Sequence, residues 1–220
     1  MLMFSFALPF AGGRRALLQG LAAALLLGAS SQAFAQNTTV PVSDLMAPEA
    51  LPDIVQGKAD APVTVVEYAS MTCTHCAAFH ATTYPWLIKN YVDTGKVKFI
   101  LREFPLDPRA SAAFLLARCA GPDKRDAMLD AWLDKQNEWA FVAEAVEPMR
   151  AIAATFGVAG ADFDDCVHNQ TLYMEILEGR DNALKALDIR RTPTFYVNGR
   201  KLEGDAPLEA FDQLLARGAD

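Results

Sequence analysis

The sequence predicts an α/β fold in which a βαβ unit and a later ββα unit share one sheet, with a helical subdomain inserted between them. Three observations predict it. The stretches VTVVEYA (63–69) and KVKFILREF (96–104) are rich in β-branched and aromatic residues, and a helical stretch from about Cys73 to Lys89 separates them. From Ala110 to Leu187 the composition turns to Ala, Leu and charged residues at helical spacing. Strand character returns at Thr194 to Val197, where Asn198-Gly199 is a strong hairpin signal leading into Lys201 to Glu203, followed by a last helix over about Pro207 to Arg217.

The N-terminus does not belong to that fold. Arg14 and Arg15, an apolar run from Ala16 to Ala29, and Ala33-Phe34-Ala35 have the layout of a secretory signal covering residues 1–35. The run is shorter than the roughly 18 residues a membrane span requires, so cleavage after Ala35 and a periplasmic location are expected. RRALLQ also resembles a twin-arginine signal, and the export route stays open. Residues 36–60, with Pro41, Pro48 and Pro52 and little periodicity, read as an extended lead-in. Residues 61–104 and 188–220 form the expected core, and 105–187 the insertion. Within the insertion four helical segments are expected: Ala110 to Ala120, Asp123 to Glu138, Glu147 to Phe156 and Asp162 to Leu187. Gly121-Pro122, Pro148, Gly157 and Gly160 punctuate them. Pro85 is expected to kink the first helix. Trp86, Trp132 and Trp139 fall on helices and are read as core, and His168 as surface. This order of elements is that of a thioredoxin-type core split by a helical insert.

Beyond residue 35, 18 basic residues face 27 acidic ones, a net charge of −9, with no basic cluster. Such a chain is a poor partner for nucleic acid or an anionic membrane.

Four cysteines lie in the exported part, where disulfides persist. Cys73 and Cys76 form a Cys-x-x-Cys motif between strand and helix. Haem attachment needs His directly after the second cysteine, and position 77 is Ala. Zinc needs two more ligands; His80, one turn beyond Cys76, is the nearest candidate, and no metal is assigned. A purely structural pair is a third reading, but so short a ring is a weak staple, and redox chemistry is the favoured one. A Cys73 thiolate at a helix N-terminus meets unpaired N–H groups and the positive end of the helix dipole, which lower a thiol pKa from about 8.5 to between roughly 3.5 and 7.5. His75 can add charge or a donor toward that sulfur, or simply face solvent. Cys119 and Cys166 read instead as a structural disulfide: a loop of about 48 residues is stabilised by about 4 kcal/mol on loop-closure entropy, with two free buried thiols as the alternative.

CTHC after VVEYASM, followed by helices and then RTPTFYVNG, resembles the DsbA-like family of exported thiol-disulfide oxidoreductases, over about Val55 to Leu215. The resemblance implies a thioredoxin fold with a helical insertion, Cys73 as exposed nucleophile and Cys76 as buried partner. It also implies a cis bond between Thr192 and Pro193 beside the sulfurs, where the backbone of Thr192 pairs with substrate. Glu67 is carried over as an acid beneath the disulfide, desolvated, raised in pKa and exchanging a proton with Cys76; an ion pair with Lys98 is the bland alternative. The substrates implied are reduced or unfolded exported proteins, reoxidation falls to a quinone-linked membrane partner, and no cofactor is required. His75 before the second cysteine resembles the oxidases. Thr192 before the proline is more typical of isomerases and reductants, and Thr74 stands where the best-known oxidase motif has proline. Oxidase is ranked over isomerase, with a redox-inactive client- or metal-binding module as the reading from another class.

Overall fold

The computed structural model describes residues 39–204 and 206–218. The expected signal, residues 1–35, lies outside them. Five strands, β1 (Ile54–Gln56), β2 (Val63–Ala69), β3 (Val97–Glu103), β4 (Thr194–Val197) and β5 (Arg200–Glu203), form one sheet in the order β1-β3-β2-β4-β5. β2 pairs parallel with β3; the β1–β3, β2–β4 and β4–β5 pairs are antiparallel. Every residue of the central β2 is buried, as expected of a strand covered on both faces.

The two faces have different covers. Val63, Val65, Phe99, Leu101, Phe195 and Val197 belong to the larger apolar cluster. There they join Phe79 and Leu87 of α2 (Thr74–Leu87) and Phe211 and Leu215 of the C-terminal helix (Leu208–Gly218). On the other face Val66, Tyr68, Ile100 and Tyr196 join Leu45 of α1 (Val42–Leu45), Ala183 and Ile189. Pro85 lies inside α2, which runs directly into a π-helical turn, Ile88–Val92. The helix therefore changes pitch rather than ending at the proline.

The lead-in does more than lead in. The Thr39–Arg200 bridge touches one edge of the sheet, and β1 completes the opposite edge by pairing with β3. Val40 N–H donates to the Gly199 carbonyl at 2.8 Å. A Cβ on Gly199 would sit 2.0 Å from the Val40 carbonyl oxygen, and its φ is +82°, so this turn position requires glycine. Three residues of strand are too few to show a period, which is why β1 is invisible in the sequence pattern.

The insertion holds six helices rather than four: α3 (Pro108–Cys119), α4 (Pro122–Asp134), α5 (Gln136–Trp139), α6 (Val146–Thr155), α7 (Ala161–Val167) and α8 (Gln170–Ala186). The C-terminal helix is then α9. The expected helix from Asp123 to Glu138 breaks at Lys135, whose backbone leaves helical geometry (φ −95°, ψ 18°). The expected helix from Asp162 to Leu187 breaks at His168 and Asn169, where the Asn169 side chain accepts from Leu172 N–H and caps α8. Asp107 caps α3 in the same way, accepting from Arg109 and Ala110, with Pro108 in the first turn. Trp132 and Trp139 are fully buried, their ring centroids 5.2 Å apart and edge-on. Trp86 is half-buried against Tyr91 at the margin, so it is not a core residue in the same sense. His168 is exposed. No helix among the described residues is long and apolar enough to cross a membrane.

Cys119 at the end of α3 and Cys166 in α7 are bonded, with Cα atoms 6.3 Å apart. Replacing both with Ala is expected to lower unfolding stability by about 2–5 kcal/mol, since the unfolded chain regains the freedom of a long loop. Urea denaturation of the two proteins measures the difference.

Candidate active site

β2 delivers the chain to a tight turn, and α2 starts immediately after it. Cys73 is the N-cap of α2, with an extended backbone, and its N–H donates to Ser70 carbonyl at 3.1 Å. The turn is held from two sides. Thr72 Oγ1 donates to Asp107, the cap of α3, and approaches Ser70 Oγ at 3.3 Å. Gln136, the buried first residue of α5, donates from Nε2 to the carbonyls of Met71 at 2.8 Å and Cys73 at 3.1 Å. Gln136 is a site residue that sequence reasoning missed: an isolated glutamine in a helical stretch carries no local signal, and its partners lie more than 60 positions away.

Both cysteines are reduced thiols, and they differ sharply. Cys76 is fully buried, while Cys73 is 8% exposed, so the expected exposed nucleophile shows only an edge to solvent. Part of that cover is the Thr192–Pro193 segment, whose peptide bond is cis; Cys73 Sγ donates to the Thr192 carbonyl at 3.2 Å. The Cys73 thiol is held down to about 5. The Cys76 thiol lowers it most by hydrogen bonding to the sulfur; burial opposes; Thr192 and the backbone N–H groups of Cys76 and His75 add to the lowering. Among these causes His75 enters through its backbone, at the start of the helix. Its side chain and that of Thr74 are exposed. Cys76 is pushed well above its ordinary value by burial, by the hydrogen bond to Cys73 and by the negative charge of Glu67.

Glu67 lies on the larger-cluster face of β2. Its register places Leu101 on one side and Phe195 on the other, so its carboxylate is fully buried among apolar neighbours. Lys98 is not its partner, because the same register sets Lys98 opposite Thr64. Its partner is His80, whose Nε2 lies 2.9 Å from Glu67 Oε2. Burial lowers the His80 pKa, but the charges and hydrogen bonds of Glu67 and Asp130 outweigh it, and the imidazole is raised to about 9. His80 therefore faces two carboxylates rather than the cysteines, and no group of three or more His, Cys, Asp or Glu among the described residues is placed to hold a metal ion.

The fold and the buried Cys-x-x-Cys at a helix start now meet the comparison that decides the family: a sequence profile described as thioredoxin matches residues 49–217. The chain belongs to the thioredoxin family. Within that family it is DsbA-like. The crystal structure of α-DsbA1 from Wolbachia pipientis superposes with a TM-score of 0.73 at 28% identity, covering 80% of this chain and 95% of that one, and the thioredoxin-like fold with its helical insertion is shared. A Rickettsia bellii protein named "Putative protein-disulfide oxidoreductase" is 34% identical over 153 residues, 69% of this chain and 59% of that protein. The chain thus spans little more than half the length of its Rickettsia relatives. Disulfide bond formation protein D of Bacillus subtilis is 24% identical over 171 residues, 74% of this chain and 75% of its own length.

Thiolate absorbance of the reduced protein is expected to titrate with a midpoint near pH 5. The linkage has a definite sign. A thiol depressed from about 9 when unfolded to about 5 when folded stabilises the folded, reduced protein above pH 9, and that stabilisation is lost as pH falls through 5. The reduced form therefore melts above the oxidised form at pH 7, by on the order of several degrees, and the gap narrows at pH 4. Thermal unfolding of both redox forms across that range checks it.

Proposed function

We propose that this protein is an exported thiol-disulfide oxidoreductase that introduces disulfide bonds into other exported proteins through Cys73 and Cys76. One observation carries the reading: the Cys73 sulfur is stabilised as an anion, held down to about 5, while Cys76 beside it is kept as a thiol. A reduced site so stabilised makes the Cys73–Cys76 disulfide a ready electron acceptor. A substrate thiolate attacks Cys73 Sγ, a mixed disulfide forms, and Cys76 leaves and takes up one proton. The second substrate thiol loses its proton and attacks the substrate sulfur bonded to Cys73. The substrate disulfide forms and Cys73 departs as thiolate. Two substrate thiols are oxidised, and the enzyme disulfide is reduced.

The backbone of Thr192 is the place where an extended substrate segment pairs while its sulfur meets Cys73. Leu106, on the loop whose N–H bonds Ser70, is half exposed and gives an unfolded client an apolar contact near the turn. A dithiol left after each cycle needs reoxidation, for which a quinone-linked membrane partner is the matching class. Export and periplasmic location, with cleavage after Ala35, belong to the same reading and are supported by the N-terminal sequence. A second reading, isomerase or reductant, is favoured by Thr192 itself, which precedes the cis proline and whose carbonyl accepts from the Cys73 sulfur.

Oxidised protein is expected to form disulfides in a reduced, unfolded test protein. Cys73→Ala abolishes the activity, and Cys76→Ala accumulates a mixed disulfide. Equal rates with and without Cys73 would end the enzymatic reading in favour of a client-holding module. Equilibration with glutathione separates the two enzymatic roles: an oxidase leaves its site reduced at ordinary glutathione ratios, whereas a reductant leaves it oxidised.

A further inference from the structure

Beneath the two cysteines, three ionisable side chains run from the core to a groove. Glu67 is fully buried; its Oε2 meets His80 Nε2, and its Oε1 has no hydrogen-bond partner. The His80 side chain is 6% exposed, and its Nδ1, which also lacks a hydrogen bond, stands 3.6 Å from Asp130 Oδ1. Asp130 on α4 is 54% exposed. His80 and Asp130 both line a groove of about 650 Å³ where α2 faces α4 and α5. The two atoms without a hydrogen bond are thus a carboxylate oxygen on the group whose charge bears on Cys76 and a ring nitrogen that faces Asp130 on the groove side.

Proton exchange between Glu67 and Cys76 is what the family resemblance implies; we propose that His80 and Asp130 extend it to solvent, with His80 as the relay and the groove as its mouth. The inference rests on thiol-disulfide exchange at Cys73 and Cys76. Cys76 is fully buried, so the thiolate released when the disulfide opens has no direct water to protonate it. The proton shared between Glu67 and His80 passes to the Cys76 sulfur, leaving a carboxylate and a neutral imidazole. His80 then takes one proton from the groove beside Asp130. When the disulfide closes again, the same proton leaves by the same groups. One proton is bound per Cys76 thiol formed and one released per thiol lost. His80 is a positioning residue in this scheme: it acts on Cys76 through Glu67.

The other groups around His80 do not offer a competing route. Tyr84 on α2 stacks on it with ring centroids 4.3 Å apart, but burial pushes the phenol pKa up, and its O–H donates to Gln56 of β1. Gln56 in turn donates to Asp126 of α4 at 3.4 Å. Lys89 and Asp134 stand on the groove walls.

The test follows reduction of the oxidised full-length protein by dithiothreitol from pH 5 to 10, with rates normalised to the reagent's thiolate. His80→Gln is expected to slow disulfide opening by about 100-fold, the lower range for a lost proton-transfer group. Asp130→Asn, at a half-exposed position that leaves folding intact, slows it several-fold. The normalised wild-type rate falls as pH rises through about 9, where His80 loses its proton, and His80→Gln lacks that fall. Added imidazole partly restores His80→Gly without raising its Tm, which a purely structural role would not allow. Wild-type rates in both His80→Gln and Asp130→Asn would overturn the path and leave the exchange reading standing. A wild-type protein that fails to react with the dithiol would overturn the exchange reading itself.

Discussion

An α-helix begins with N–H groups that have no partner inside it, and in this protein those of His75 and Cys76 are directed at the Cys73 sulfur. The other features of the site keep that helix end and that sulfur in register. β2 ends at Ala69, four residues before the cap, so the sheet fixes where the helix starts. Ser70, Thr72 and Asp107 brace the turn from the β3 side, and Gln136 braces it from the insertion. Thr192 approaches from the far end of the chain. A sulfur displaced from the N–H groups would lose the stabilisation, because hydrogen bonds and the field of a helix end both decay within about a turn.

A second constraint runs against stability. β2 spends one of its seven positions on a carboxylate between Leu101 and Phe195, where an apolar side chain would pack without desolvating a charge. His80 offsets that penalty by ion pairing, and removing either member of a buried pair costs about 3–5 kcal/mol. The pair alone is no more stabilising than an apolar replacement, so its position, where the Glu67 charge raises the Cys76 pKa, is the more informative fact.

The insertion is bound to the site rather than appended to it. Its apolar residues, including Phe114, Leu116 and Trp132, belong to the same cluster as Phe79 and Phe195 of the core. The Cys119–Cys166 bond holds α3 to α7 away from Cys73 and Cys76, while α4 and α5 bring Asp130 and Gln136 up to α2. The two cysteine pairs differ accordingly: closing a long loop stabilises, and closing a four-residue ring does so only weakly.

Local chemistry was legible in the sequence: the strands from their β-branched runs, the hairpin from Asn198-Gly199, the helix start at Cys73 from two cysteines after an apolar strand. These depend on neighbours a few positions apart, where periodicity and turn preference act. The edge strand at Ile54 to Gln56 and the helix breaks at Lys135 and Asn169 escaped, since each is settled by a few residues whose preference is weak until something packs against them. The partner of Glu67 was out of reach of the sequence for a sharper reason. Lys98 is near in sequence pattern, but strand register sets it opposite Thr64, and only the packing of α2 on the sheet brings His80 to the carboxylate. By itself, then, the sequence determined the order of elements and the placement of two cysteines at a helix start, because those are properties of short segments. Which groups surround the pair, namely Thr192, Gln136, His80 and Asp130, was decided only by the tertiary structure, since burial and long-range contact create both the need for a partner and the partner itself.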